Sequence, residues 1–199
     1  RGPLSTNVER VALALAHKGL EVESIEIDWD DRSPVEEVSG QGLVPVIVDE
    51  GGEVVYDSAT ILRHLEERYP DPPLFPADPA RRAEMDVFID WFNEVWKRDP
   101  NGIEEELEGN AYPAAIASMS KRMAEHMDRF ERMLDGRDYL MGDSVSAADF
   151  AAFPFLKYAL IPKLPDDDEP FHKVLDDHQQ LGDDHPRLKA WIERVDALP

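Results

Sequence analysis

The chain has 199 residues and a formal net charge of −22, from 43 acids against 21 bases. Such a balance repels nucleic acid and anionic membranes, so a basic-patch function is excluded. There is no cysteine, which excludes disulfides, cysteine nucleophiles and thiolate metal sites; any thiol chemistry must use a thiol carried by a ligand. The apolar fraction of 42% suits a globular core. No run of about 18 apolar residues is present to cross a bilayer. No signal-peptide pattern opens the sequence as it stands. The first residue is Arg1 rather than Met, so further residues are expected upstream.

The first stretch, GPLSTNVERV, reads as a turn feeding a helix. Gly2 and Pro3 break what precedes them, and Val8, Val11, Ala12 and Leu15 then recur at helical spacing. Ser5, Thr6 and Asn7 are all good cap types, although one cap suffices. Either the capping is redundant, or a spare hydroxyl or amide faces a ligand held at the positive end of the helix. Glu21 to Asp28 alternates apolar and polar and predicts a strand. The acids Asp28, Asp30 and Asp31 fail as a calcium loop, because Arg32 and Pro34 interrupt the ligand spacing. Ser33 then opens a short helix with Pro34 at its first position.

VPVIVD and EVVYD, joined through Gly51 and Gly52, predict a hairpin. A helix with Ser58 as its cap follows, carrying Ile61, Leu62 and Leu65 on one side. YPDPPLFPADPA places five prolines in twelve residues and reads as a stiff linker. Beyond it everything is helical. Ala80 to Arg98 carries Met85, Phe88, Ile89, Phe92, Val95 and Trp96 at spacings of three and four, and Ala111 to Leu134 behaves likewise. Ser146 to Leu160 is a third helix with a Ser146/Asp149 capping box, Phe171 to His178 a fourth, and Pro186 opens the last. His172, His178 and His185 match no common zinc pattern, so no metal is expected. The acidic runs, including Asp166 to Glu169, read as solvated surface. The expected fold is a two-domain α+β chain: a small α/β domain over 1–69, a proline-rich linker over 70–79 and an all-helical domain over 80–199.

Read in order, five stretches resemble the cytosolic glutathione transferases. GPLSTNVERV is similar to the first strand–helix loop of the serine-type (phi-, nu- or theta-like) classes. GLVPV is similar to the loop that carries a cis proline. DSATILRHL is similar to the family's E/D-S-x-A-I signature. YLMGDSVSAADF and PRLKAWIERVDALP are similar to the capping motif and last helix of the helical domain. The resemblance covers nearly the whole chain and implies a thioredoxin-like first domain. It also implies a cytoplasmic homodimer that uses glutathione as cosubstrate, without a metal.

By that resemblance Ser5 is the catalytic hydroxyl, with Asn7 a second donor. Val44 pairs with the ligand's peptide groups ahead of a cis Pro45. Asp57 takes the ligand's ammonium, and Ser58 its carboxylate. A donor at the sulfur favours thiolate over thiol, which is the nucleophile wanted for a small apolar electrophile. The resemblance lines that electrophile's pocket with the first and third helices of the helical domain, where Trp91, Trp96, Phe155 and Tyr158 are the large side chains. For each of these the alternative is core packing.

Three departures from the family pattern stand out. The opening strand is missing. Leu43 replaces a polar residue in SGQGLVP. Only Arg32 offers a cation for the glycine carboxylate of glutathione, beside Glu36 and Glu37. A transferase that uses another thiol, or a non-catalytic module that binds ligands or proteins, is therefore the competing expectation.

Overall fold

The computed structural model describes residues 2 and 4–198, so the breaker Pro3 and both terminal residues lie outside the described set. The chain divides into two compact units, one running to Ala77 and the other spanning Asp78–Leu198. The break falls inside the proline-rich segment.

The first unit contains α1 (Thr6–His17), α2 (Ser33–Ser39), β1 (Val46–Val48), β2 (Val54–Tyr56) and α3 (Ser58–Arg68). The hairpin is antiparallel, with Val46 opposite Tyr56 and Val48 opposite Val54. Asp49 closes its turn: Oδ1 accepts from the N–H groups of Gly51 and Glu53 at 2.8 and 2.9 Å. Gly40 ends α2 at φ +74°, a left-handed conformation that costs glycine little. Val11 and Ala14 of α1 pack with Ile61, Leu62 and Leu65 of α3 to form the core.

Three local expectations are corrected here. Among the described residues, 21–28 form no strand ladder, and a bridge joins Asp28 to Asp31. Alternation of apolar and polar residues is equally compatible with an extended segment outside a sheet. Val22 and Ile25 accordingly stay exposed. Arg32, not Ser33, occupies the cap position of α2, and Asp57, not Ser58, caps α3.

The proline-rich segment is tied into the first unit rather than standing free of it. Lys18, wholly buried at its side chain, pairs with Glu66 at 3.2 Å and donates to the carbonyls of Tyr69 and Pro72. Glu66 in turn accepts the N–H of Leu74 at 2.8 Å, and Leu74 and Phe75 are buried. A second cis proline bond, Asp71–Pro72, lies in this stretch.

The second unit contains α4 (Pro79–Trp91), a π turn over Phe92–Trp96, α5 (Arg98–Glu108), α6 (Pro113–Met133), α7 (Ala147–Leu156), a 3₁₀ turn (Lys157–Ala159), α8 (Pro170–His178) and α9 (Pro186–Asp196). The π turn interrupts the helix expected over 80–98. It shifts the phase, so Trp96 stays fully buried, stacked on Phe92 at 4.4 Å, while Val95 turns outward. Helix α5 is not singled out by the sequence reading, and Pro100 and Gly102 fall within it. Pro100 sits in the first turn, where its missing N–H costs nothing.

Every residue of α7 is buried, as befits a helix apolar on all sides. Its capping box forms, and Asp149 does more than cap. The fully buried carboxylate accepts from Leu140 N (2.9 Å), Ser146 N (2.9 Å), Ser146 Oγ (2.8 Å) and Trp191 Nε1 (2.8 Å). Glu131 of α6 reaches the start of α9 and accepts from Leu188 N at 2.9 Å.

The acidic run near residue 166 is also not simply solvated. Asp167 is buried and meets His172 Nδ1 at 2.7 Å. Burial opposes its ionisation, and the hydrogen bonds from His172 and Glu169 outweigh it, holding Asp167 below the ordinary carboxylate range. No helix among the described residues is long and apolar enough to cross a membrane.

With so large an excess of acids, self-repulsion opposes folding, and salt relieves it. Screening shortens from about 30 Å at 0.01 M to about 3 Å at 1 M ionic strength. The expected result is a melting temperature that climbs by several degrees over that range in calorimetry; a flat or falling trend contradicts it.

Candidate functional site

Helix α3 begins at an unusual backbone. Asp57 has φ +68° and ψ 124°, a region that non-glycine residues rarely occupy and that clusters at functional sites. Its Oδ1 accepts from Thr60 N (2.9 Å) and Thr60 Oγ1 (3.0 Å), while Oδ2 takes no hydrogen bond from a described residue. Asp57 is thus an exposed carboxylate fixed at one oxygen and open at the other. The next residue, Ser58, is buried, and its Oγ accepts from Arg10 Nη1 at 3.1 Å. The unsatisfied N–H groups of the first turn of α3 point the same way as the helix dipole, toward an anion. A carboxylate and an anion-binding helix start on consecutive residues can take a zwitterionic amino-acid group, ammonium on one and carboxylate on the other.

The Val44–Pro45 bond is cis. Pro45 leads directly into β1, whose partner strand β2 runs on into α3 through Asp57. The N–H and C=O of Val44 bond to no described residue, so an extended peptide has one free main-chain pair to join. The loop before it is held from within. Gln41 accepts the Leu43 N–H at 2.6 Å and donates to the Leu43 carbonyl at 2.9 Å, which spends Leu43's backbone groups and leaves its side chain 72% exposed. Arg32 is committed as well: Nη1 donates to Gly42 O at 2.9 Å, and the guanidinium lies 4.9 Å over the Trp29 ring.

Ser5 caps α1, accepting from Val8 N at a long 3.4 Å. A hydroxyl that accepts one bond keeps its hydrogen, so capping and donation to a ligand are compatible. Asn7 is half-buried in the first turn.

The first unit therefore carries every predicted site residue, on α1, on the loop ahead of β1 and on the start of α3. Asp57 and Ser58 are adjacent at the start of α3, and Val44 lies two residues ahead of β1, the strand paired with β2, which leads into α3. The link from α1 to this group is Arg10, which the sequence reading missed. A charged residue on the buried Thr6–Arg10–Ala14 stripe was the available signal. Gln41 was missed too, since a surface glutamine carries no such signal.

Of the large side chains named for a pocket, Trp96, Phe155 and Tyr158 are buried within the helical unit, and Trp91 is half-buried against His126 at 5.3 Å. The histidines have local partners. His178 meets Ser120 at 3.1 Å, and His185 has Asp128 at one ring nitrogen and Asp184 at the other.

Residues 2–73 match the family model of the glutathione S-transferase N-terminal domain, and residues 113–194 that of the C-terminal domain. The chain is 31% identical to FtsZ-localized protein A of Caulobacter vibrioides over 162 residues, covering 75% of this chain and 71% of that protein. It is 29% identical to glutathione S-transferase 3 of Zea mays, covering 99% and 87%. The fold is similar to a solved glutathione S-transferase of Methylobacterium radiotolerans in complex with glutathione sulfonate. That match has a TM-score of 0.72 and 26% identity, covering all of this chain and 89% of that one.

Proposed function

The chain belongs to the glutathione S-transferase family, and from that premise we propose that its first unit binds glutathione and activates the thiol for attack on a small apolar electrophile. The single observation that carries this reading is the start of α3. There a strained, half-open Asp57 precedes a buried Ser58 held by a cation. Asp57 would take the ammonium of the γ-glutamyl group, and Ser58 with the helix N–H groups its carboxylate. Val44 would pair with the cysteinyl backbone, which directs the sulfur toward the entrance of α1.

At that entrance Ser5 would donate its hydrogen to the sulfur, with Asn7 in support and the helix dipole behind them. Each unit of lowering in thiol pKa corresponds to roughly 1.4 kcal/mol and up to tenfold more thiolate near neutral pH. Holding the two reactants together would supply the rest of the rate. A two-fold dimer in the cytoplasm, of serine-type subclass, is part of the same proposal and rests on family likeness.

A second reading, a binding module without chemistry, is favoured by one feature of the loop. Leu43 projects apolar surface where the family places a polar contact, and Arg32 is engaged elsewhere. The likeness to FtsZ-localized protein A fits a role in binding a protein partner.

The test between site and no site is Asp57→Asn. Asparagine keeps a cap oxygen and tolerates positive φ, so the fold is spared while the charge is lost. The affinity for glutathione should fall by about tenfold to a hundredfold in a fluorescence titration. An unchanged affinity would remove Asp57 from the site.

A further inference from the structure

Arg10 stands out because a charged side chain has no reason to sit on the apolar stripe of α1. It is 1% exposed, one helical turn from buried Thr6 and one from buried Ala14. Burying a guanidinium is costly unless its charge is used or compensated. Burial pushes its pKa down to about 9 and the nearby Asp57 carboxylate works against that, so it stays cationic at neutral pH.

Its Nη1 donates to Ser58 Oγ. A guanidinium only donates, so Arg10 occupies a lone pair of that hydroxyl and can never take its proton. The single hydrogen of Ser58 is thereby turned away from Arg10. The same contact places a buried positive charge behind the first residue of α3, adding to the positive end of the helix.

We propose that Arg10 is the positioning residue for the carboxylate of the γ-glutamyl group: it fixes the Ser58 hydroxyl as a donor to that carboxylate and backs it with buried positive charge. This rests on the glutathione reading above. The competing role is a strut that only ties α1 to α3.

Ligand chemistry separates the two. Three ligands are titrated calorimetrically: glutathione, an analogue lacking the γ-glutamyl carboxylate, and an analogue lacking its amino group. On the wild-type protein, removing the carboxylate should weaken binding about thirtyfold or more, and removing the amino group distinctly less. In Arg10→Met, glutathione should bind about ten- to thirtyfold more weakly. The analogue without the carboxylate should bind within about threefold of its wild-type affinity, because the group that Arg10 serves is already gone. Arg10→Lys should restore part of the loss.

Equal losses for all three ligands in Arg10→Met would make Arg10 a strut and overturn the proposal. If Arg10→Met does not fold, the wild-type series and Arg10→Lys decide. A carboxylate whose removal costs no more than removal of the amino group overturns the proposal without any variant. A wild-type protein that binds glutathione but shows no carboxylate preference refutes the role of Arg10 alone. A wild-type protein that binds none of the three refutes the glutathione reading, and this inference with it.

Discussion

Ser5→Ala is expected to raise the apparent pKa of bound glutathione by about 1.5 and to lower kcat/KM by roughly a hundredfold, the usual effect of removing one preorganised donor from a developing or resident anion. In the proposed site, positive potential at the sulfur would come first from the hydroxyl hydrogen of Ser5 and second from the first turn of α1 with the Asn7 amide. Alanine removes the first and keeps the second, so activity should fall without vanishing. The pH–rate profile is the decisive readout, since its acid limb reports thiol ionisation in the complex. It should move to higher pH in Ser5→Ala and return part of the way in Ser5→Thr. Loss of the α1 cap costs about 1 kcal/mol and shows separately in the melting temperature. A Ser5→Ala protein with reduced stability and an unmoved pH profile would make Ser5 a cap and nothing more.

The largest expected effect on stability lies far from that chemistry, at Asp149. One buried carboxylate satisfies two backbone N–H groups, a hydroxyl and the Trp191 indole, and so joins the start of α7 to α9. Asp149→Ala strands four donors in the core, where each unsatisfied group costs about 1–3 kcal/mol before relaxation and water entry. A net loss of about 3–5 kcal/mol is expected, or roughly 8–15 °C in melting temperature for a chain of this size. Asp149→Asn keeps one acceptor oxygen and should recover part of it. A loss below about 1 kcal/mol would mean that the four hydrogen bonds contribute little net stability.

The sequence displayed the features that repeat along an element and hid those that depend on a neighbour. The hairpin, the capping box at Ser146 and Asp149, and the apolar spacing of α6 and α9 are local patterns, and the structure contains them. Glu21 to Asp28 has an equally clean alternation, yet no ladder forms there among the described residues, because strand formation depends on context that alternation does not reveal. The π turn is invisible for the opposite reason. The spacing through Phe92 and Trp96 fits a regular helix, and only packing shows that Val95 leaves the core.

At the candidate site, Asp57, Ser58 and Val44 were legible because a motif carries them, as was Ser5 by its cap position. Arg10 was not, since its role depends on a hydroxyl 48 residues away. The buried Asp167–His172 pair was likewise hidden inside what reads as a charged surface run.

One glutathione is expected to bind per chain and to ionise as it binds. Calorimetric titration of the unmodified protein with glutathione, run at neutral pH in two buffers of different ionisation enthalpy, measures both at once. The expected result is one ligand per chain with release of a proton approaching one per glutathione, as thiol becomes thiolate. Absence of binding at millimolar glutathione would contradict the site. Binding with no proton release would contradict thiol activation and leave a module that holds its ligand without chemistry.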